Sequence, residues 1–280
     1  MRARFAPGGC MHLEDIFDQT HKLPTIPRIV QDLLGTFSQS DINLGEVAKR
    51  ISLDQVITAK VLRLANSVQF GVSRKIGSVN EAIIVLGFDT VRTLVVASGV
   101  TGAFVATPGF DRKAFWRVSL GVGSAAHKLA RMLRLNPEAA FLCGLLHNIG
   151  ELLIHVVQPD LAVRIDRSVA GGGNRVQLED NNIGFDYIQV AAELASRWNF
   201  PDPIRQALAD QNTPEPESRL SRVLQLAVAL TSLPEDPTPE QLDQALSRLP
   251  ADTDVSIRDA IRLQLPELVT LDPEMERILS

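Results

Sequence analysis

The segment GLLHNIG, residues 144–150, places a histidine directly before an asparagine between apolar residues. If an aspartate followed the histidine, the pair could offer an imidazole nitrogen and a carboxylate oxygen to a divalent metal that acidifies a bound water. Asn148 in place of aspartate removes a unit charge beside the cation, worth about 4 kcal/mol at 4 Å and an effective dielectric of 20. The segment therefore has the form of a hydrolytic metal site with one ligand altered.

Other residues that could do chemistry lie at less favourable spacings. Cys143 and His147 are four apart on one predicted helix and could form a thiolate–imidazole pair, although a small core cysteine is more typical. His155 follows His147 by eight residues, about 12 Å along a helix, which is too far for one shared metal. His127, on the preceding predicted helix, could approach His147. We expect His147 to be a buried histidine bonded to its helix neighbours.

The glycines of the same segment suggest a structural role for it. Gly144 and Gly150 flank the apolar residues Leu145, Leu146 and Ile149. Because glycine has no Cβ, it permits a neighbouring helix to approach closely. The segment is therefore also consistent with a core helix without any chemistry.

Composition limits the classes of function. The chain has 280 residues, 45% of them hydrophobic, and a formal net charge of -5, so we expect one large core and no nucleic-acid partner. Its two cysteines, Cys10 and Cys143, form no C-x-x-C pair, which favours a reducing compartment, and the cytoplasm fits best. The first residues lack a signal-peptide core, and we expect no window that approaches the roughly 18 apolar residues of a membrane helix.

Helix signals run through the whole chain. Three predicted helix starts have the capping-box spacing, in which a side chain accepts a hydrogen bond from the N–H three residues later. They are Asn43 with Glu46, Ser52 with Gln55, and Ser78 with Glu81. Gly71 and Gly87 stand where helices should stop. Asp111 should begin a long helix through Arg134, and Asn136 with Pro137 should begin the next.

The helical pattern divides into three parts. Residues 1–19 form a tail and a short helix, residues 20–233 form one all-α domain, and residues 234–280 form an acidic helical extension after the Pro-rich PEDPTP. The run GGGN at 171–174 could cradle a phosphate. Without a preceding strand and a following Lys-Ser/Thr, however, it is more typical of a loop between helices.

Five segments, in this order, resemble successive blocks of the HDOD family, relatives of the HD and HD-GYP phosphohydrolases. They are HKLPTIPRIVQDLL, ISLDQVITAKVLRLANSVQFG, SVNEAIIVLGFDTVRTLVV, AFLCGLLHNIGELLI and LEDNNIGFDYIQVAAELASRWNFP. The resemblance implies a two-lobed all-α fold. Its N-terminal helical bundle would occupy residues 20–105, and its HD-like helical core residues 106–233.

The resemblance also places the ligand positions of an HD site on this sequence. Those positions hold Val118, His147, Asn148, Tyr187, Asp210 and Gln211. Only His147 keeps the residue type of an HD enzyme, and neither valine nor a neutral tyrosine ordinarily replaces an imidazole ligand. The resemblance therefore implies a degenerate site without metal, cofactor or catalysis.

A polar edge follows the block that ends in RLANSVQFG. Asn66 and Ser67 fit the family pattern, and Arg74 and Lys75 come shortly after. These residues could form a partner-binding or anion-binding edge. The alternative is a helix end held by local side-chain-to-backbone hydrogen bonds, which Asn and Ser make readily.

Two functions fit these patterns. The resemblance implies a non-catalytic bacterial signalling scaffold that engages receiver, kinase or cyclic-dinucleotide modules in trans. A homodimer is a further alternative, and we expect no membrane partner. In the alternative, the degenerate pocket binds a nucleotide such as cyclic di-GMP without hydrolysis. Arg117, Lys128 and Arg131, on the helix beside the pocket, would then contact phosphate, unless they lie on its solvated face.

Overall fold

The computed structural model describes residues 12–18, 24–38, 42–66, 75–104 and 110–271. These residues form helices joined by turns, and no strand occurs among them. The all-α prediction is therefore confirmed. Before residue 105 the described residues form six α-helices: α1 (Leu13–Phe17), α2 (Arg28–Leu34), α3 (Leu44–Ile51), α4 (Gln55–Ala65), α5 (Val79–Leu86) and α6 (Phe88–Ala103).

The next part of the chain carries the GLLHNIG segment. Its helices are α7 (Arg112–Met132), α8 (Pro137–Leu146), α9 (Ile149–Val157), α10 (Pro159–Ala170), α11 (Arg175–Ile183), α12 (Tyr187–Arg197), α13 (Asp202–Ala209) and α14 (Arg219–Thr231). The glycine run at 171–173 joins α10 to α11, and the Asn174 side chain accepts from the Gln177 N–H at the start of α11. The run is thus an interhelical loop, as its sequence context favours.

Two of the three predicted capping residues begin their helices. The Asn43 side chain accepts from the Glu46 N–H at 3.1 Å, and Ser78 Oγ accepts from the Glu81 N–H at 3.2 Å. Each satisfies an N–H that has no partner inside its helix. Gly87 ends α5 with φ of 84°, a left-handed conformation that glycine adopts without strain.

The prediction for Ser52 was wrong. Ser52 follows the last residue of α3, and its hydroxyl donates to the Ala48 carbonyl oxygen at 2.7 Å. The Asp54 carboxylate instead accepts from the N–H groups of Val56 and Ile57, both at 3.0 Å, at the start of α4. The short connection from α3 to α4 therefore gives the capping position to the residue next to the helix.

The longest helix and its successor begin where the sequence predicts. Asp111 accepts from the Ala114 N–H at 2.9 Å, and Asn136 accepts from the Ala139 N–H at 3.0 Å. The predicted helix stop at Gly71 lies outside the described residues.

Aromatic rings join the N-terminal helices to the rest of the core. Phe104, which follows α6, meets Trp116 of α7 with ring centroids 6.0 Å apart and an interplanar angle of 63°. It also meets Trp198, just after α12, at 6.2 Å and 66°. Edge-to-face pairs of this kind contribute about 0.5–1.5 kcal/mol each beyond the burial of their area. The predicted boundary near residue 105 thus falls beside a shared aromatic cluster.

The C-terminal extension packs against the domain. Its helices are α15 (Pro239–Leu246), α16 (Val255–Leu263) and α17 (Leu265–Val269). Leu246, Leu249, Ile261 and Leu268 are each at most 3% exposed and belong to the same hydrophobic cluster as the domain core. The extension is therefore part of the folded unit over its described residues.

One stretch corrects the expectation about membrane helices. Residues Pro137–Val157 are long and apolar enough, by length and composition, to cross a membrane. Within the fold, 89% of the 18 consecutive residues that give the stretch its high hydropathy are buried. The stretch comprises α8 and α9, whose hydropathy reflects a position in the core of the protein.

Candidate functional site

Two close approaches between backbones position the GLLHNIG segment. A Cβ on Gly144 would lie 2.6 Å from the Cα of Gly123 in α7, and a Cβ on Gly150 would lie 1.9 Å from the carbonyl oxygen of Tyr187. Side-chain carbons essentially never come this close to backbone, so both positions need glycine. The predicted close approach is confirmed: Gly144 brings α8 onto α7, and Gly150 brings α9 onto the start of α12.

The helix breaks inside the segment. α8 ends at Leu146, α9 begins at Ile149, and Asn148 between them has φ of -109° and ψ of 11°. The expectation of a single helix through Cys143, His147 and His155 was therefore wrong, because the chain turns at the His147–Asn148 pair. Both side chains of that pair are buried, at 7% and 6% exposed.

The buried pair makes its hydrogen bonds within the protein. Ser119 Oγ of α7 donates to Asn148 Oδ1 at 2.8 Å, and His147 Nδ1 lies 2.7 Å from the Gly144 carbonyl oxygen. Gln211 Nε2 donates to the His147 carbonyl oxygen at 3.0 Å. We call these three contacts the HN clasp. They join α7, α8 and the short 3₁₀ helix at Asp210–Asn212 at one point.

Burial sets the charge of His147. It lowers the pKa of the imidazole to about 4, with the Gly144 carbonyl acting in the opposite direction. The ring is therefore neutral at pH 7, and because a carbonyl only accepts, Nδ1 must carry the proton. Nε2 is left with a lone pair, but the described residues include no cluster of three or more His, Cys, Asp or Glu side chains that could complete a metal site.

The remaining ligand positions point elsewhere or lack donor atoms. Val118 is 57% exposed. The Asp210 carboxylate accepts from Gln206 Nε2 and Ser221 Oγ, each at 2.8 Å. Burial raises the pKa of the Tyr187 hydroxyl, so it stays protonated. Of the positions inferred from the resemblance, the structure brings Gln211 into contact with the His147–Asn148 pair, together with Ser119, a residue that the sequence did not single out.

A cavity of about 390 Å³ opens beside His147. It is lined mainly by aliphatic residues of α7, α14 and the extension, with Arg117 and Val118 at its edge. Lys128 does not line it, because its Nζ donates to the carbonyl oxygens of Glu267 and Thr270. Arg131 is exposed and also does not line it. Of the three predicted cationic contacts, Arg117 alone borders the cavity.

The polar edge of the N-terminal helices has a structural part. Asn66 Nδ2 donates to the Ile76 carbonyl at 2.8 Å, and Asn66 Oδ1 accepts from the Ile76 N–H at 2.7 Å. Asn66 thereby joins the two ends of the intervening segment, as the structural alternative predicts. Lys75 is exposed, whereas Ser67 and Arg74 lie outside the described residues.

The other histidine and cysteine candidates do not join the site. His127 Nε2 lies 3.5 Å from a Glu138 carboxylate oxygen, and this contact replaces the approach to His147 that the sequence left open. Cys143 is fully buried, and burial raises the pKa of its thiol. A thiolate–imidazole pair is therefore excluded at neutral pH, since the thiol stays protonated.

A second polar cluster was not predicted from the sequence. Arg175 of α11 forms ion pairs with Glu151 of α9 at 3.4 Å, with Glu179 at 3.2 Å and with Asp166 of α10, whose other oxygen lies 2.8 Å from His155 Nε2. We call these five residues the Arg175 cluster. It connects three consecutive helices beside the HN clasp.

Burial dominates the ionisation of the Arg175 cluster. It raises the pKa of the Glu151 carboxyl to about 7, with Arg175 acting in the opposite direction. It also raises the pKa of Glu179, which is 0% exposed and accepts a 2.7 Å hydrogen bond from the Tyr187 N–H. Burial lowers the pKa of His155 despite its contact with Asp166. The i,i+4 spacing of Arg175 and Glu179 was the one local signal of this cluster.

The chain is similar to several known proteins. A family model described as the HDOD domain matches residues 23–214. A proposed phosphohydrolase of Shewanella amazonensis SB2B is 32% identical, with a TM-score of 0.77 over 95% of this chain and 98% of that one. An HDOD domain protein of unknown function from Geobacter sulfurreducens has a TM-score of 0.76 at 24% identity, over 92% and 95% of the two chains.

Two further relatives are longer than this chain. A proposed signal transduction protein of Marinobacter aquaeolei VT8 has a TM-score of 0.71 at 25% identity, over 99% of this chain and 61% of that protein. An uncharacterized protein of Treponema pallidum (strain Nichols) is 25% identical over 194 residues, which are 68% of this chain and 37% of its own length. The chain thus spans less than two thirds of each of these two proteins. The matched length, the order of the sequence blocks and the shared helical fold lead to one assignment: the chain belongs to the HDOD domain family.

Proposed function

We propose that the chain is a non-catalytic bacterial signal-transduction protein that serves as a scaffold for other regulatory proteins. The HN clasp is the observation that carries the proposal. Ser119, Asn148 and Gln211 use their polar atoms to hold helices together where an HD enzyme would hold a metal. A site whose donors stabilise the fold is suited to presenting a fixed surface.

The free-energy balance of placing a metal at the HN clasp supports this proposal. A metal bound to Asn148 Oδ1 beside His147 would have to displace the hydrogen bond from Ser119 Oγ, a loss of about 0.5–1.5 kcal/mol because the hydroxyl also has the Phe115 carbonyl oxygen within reach at 3.0 Å. The metal would gain only neutral ligands there, because no carboxylate is among the described residues that line the cavity. Hard divalent cations such as Mg²⁺ and Mn²⁺ prefer carboxylate and other oxygen ligands, and one imidazole with one amide supplies too few donors for a metal site. Hydrolysis through this pocket is therefore disfavoured.

The family and one relative support a regulatory role. The Marinobacter protein is a proposed signal transduction protein, and this chain covers 61% of it. Partners in trans would be receiver, kinase or cyclic-dinucleotide modules in the cytoplasm, and a homodimer remains compatible with the fold. The net charge of -5 gives no reason to propose a nucleic-acid partner.

A nucleotide sensor is the second candidate, and the cavity beside His147 is the observation that favours it. Its volume of about 390 Å³ is in the range of small-molecule sites. The lining is mostly aliphatic, however, and Arg117 is the one cationic residue among the described lining residues. Phosphates are usually bound by several cationic or N–H donors. The scaffold is therefore the better supported of the two functions.

Direct binding measurements distinguish the two candidates. The purified chain should bind at least one receiver, kinase or cyclic-dinucleotide module with a defined stoichiometry in calorimetry. Saturating cyclic di-GMP should leave its melting temperature unchanged. Arg117→Glu and Arg131→Glu form a matched pair, because both residues are exposed on α7 and only Arg117 borders the cavity. A nucleotide-induced increase in melting temperature that Arg117→Glu abolishes and Arg131→Glu preserves would replace the scaffold with the sensor.

A further inference from the structure

The C-terminal extension covers the surface of α7 and α14 next to the cavity. Leu268 of α17 is 3% exposed, and Val269 and Leu271 line the cavity together with Val228 of α14. The seven residues Leu265–Leu271 therefore lie over the pocket that contains His147. We call these residues the lid.

A lysine on α7 holds the end of the lid. Lys128 Nζ donates to the carbonyl oxygen of Glu267 at 2.6 Å and to that of Thr270 at 3.0 Å. The last four carbonyl groups of a helix have no partner within it, and a cation at that end also interacts favourably with the helix dipole. Lys128 thus recognises a helix C-terminus through backbone atoms, which any helix of suitable length can supply.

The lid is a short segment that packs on α7 and α14. α17 has five residues, of which Leu268 is the buried one, and helices this short are not stable in isolation. The lid also leaves a cavity of about 390 Å³ between itself and His147. The surface beneath it belongs to α7 and α14, which have 21 and 13 residues and contribute many side chains to the core. A preformed surface is therefore covered by a short segment whose helix is not stable without that surface.

We propose that the face of α7 and α14 around Lys128 and Val228 is a docking surface for a short helix of a partner protein, which displaces the lid. The inference rests on the proposed scaffold function, and it adds that the lid regulates the binding of a partner to the scaffold. The partner helix should carry an aliphatic residue at the position of Leu268 and end with carbonyl groups open to Lys128. Because the lid is tethered to its own surface at high effective concentration, the partner helix must bind more tightly than the lid does.

A labelled peptide of residues 262–271 serves as the probe, titrated into full-length variants and followed by fluorescence anisotropy. Leu268→Ala in the protein weakens the lid and leaves the docking surface intact, so the wild-type peptide should bind this variant at least tenfold more tightly than it binds the unaltered protein. Leu263→Ala is the matched control in the same extension, because Leu263 is 83% exposed. It should bind the peptide as weakly as the unaltered protein does.

A second change tests the surface itself. The double variant Lys128→Met/Leu268→Ala should bind the wild-type peptide at least tenfold more weakly than the Leu268→Ala variant does. A peptide in which Leu268→Ala has been made should bind neither protein. Amide exchange of residues 265–271 should accelerate in the Leu268→Ala protein. If circular dichroism shows that this variant is misfolded, Val269→Ala provides a milder disturbance of the lid with the same expected direction.

Two results would overturn the inference. One is equal peptide affinity in all variants, and the other is peptide binding that survives Lys128→Met. Dimerisation of the Leu268→Ala protein in size-exclusion chromatography would make a second copy the occupant and would also count against a partner helix. None of these outcomes affects the scaffold function, which the binding of signalling modules tests separately.

Discussion

Replacing Gly150 by alanine should destabilise the protein by about 3 kcal/mol. The new methyl group would lie 1.9 Å from the Tyr187 carbonyl oxygen, whereas carbon and oxygen normally stay about 3.3 Å apart. Over-packing typically costs about 1–3 kcal/mol and more where backbone must move, as it must here. The higher helix propensity of alanine returns no more than about 1 kcal/mol. The net loss should therefore fall near 3 kcal/mol.

Thermal unfolding followed by circular dichroism measures this loss. For a protein of this size, about 3 kcal/mol corresponds to a decrease in melting temperature of roughly 6–12 °C. Gly121→Ala is the control, since Gly121 lies inside α7 and a Cβ there would meet nothing within 4 Å. Its melting temperature should stay constant or rise by a few degrees. A Gly150→Ala protein that unfolds at the wild-type temperature would refute the close packing of α9 on α12.

Three further predictions concern the two polar clusters. Ser119→Ala should lower the free energy of unfolding by about 1–3 kcal/mol in urea titrations, because Asn148 Oδ1 loses its buried donor, and an unchanged midpoint would contradict the HN clasp. Asn148→Asp should not produce metal-dependent hydrolysis in a phosphodiesterase assay, since the other ligand positions stay altered; turnover would contradict this. The Glu151 pKa is raised to about 7 in the folded state, so the folded state binds the proton more strongly and stability should fall as pH rises from 4.5 to 7. Glu151→Gln should reduce this dependence and be more stable than wild type at pH 8, by no more than about 3 kcal/mol, whereas parallel pH profiles of melting temperature would contradict the raised pKa of Glu151.

Local signals account for the parts of the fold that could be predicted. Asn43, Ser78, Asp111 and Asn136 all cap helices as expected, because a cap depends on residues within one turn. Ser52 shows the limit of the same rule. Ser52 and Asp54 both precede α4, with Leu53 between them, and because Ser52 still bonds to the preceding helix, Asp54 provides the cap.

The break at the His147–Asn148 pair could not be predicted from periodicity. The apolar pattern continues from α8 into α9 because both helices are buried, and a buried helix is hydrophobic on all sides. Tertiary contacts decide the turn: Ser119 bonds to Asn148, and Gln211 bonds to the His147 carbonyl from 64 residues away. A one-dimensional pattern contains neither contact.

Contacts between distant residues also explain what was missed. The Arg175 cluster collects residues from α9, α10 and α11, and among its ion pairs only that of Arg175 with Glu179 joins residues one helical turn apart. The carbonyl that Lys128 binds at Glu267 is 139 residues away, so the sequence could not show that the lysine faces the extension. Such placements follow from helix packing and emerge only in the folded structure.

The central claim is that the HD-related pocket holds helices together and neither binds metal nor hydrolyses phosphodiesters. Its most direct test is the metal content of the purified protein after equilibration with Mn²⁺, Mg²⁺ or Fe²⁺, measured together with hydrolysis of cyclic di-GMP on the same sample. We predict far less than one equivalent of metal per chain and no turnover above buffer. Stoichiometric metal with turnover, both lost in His147→Ala, would contradict the claim.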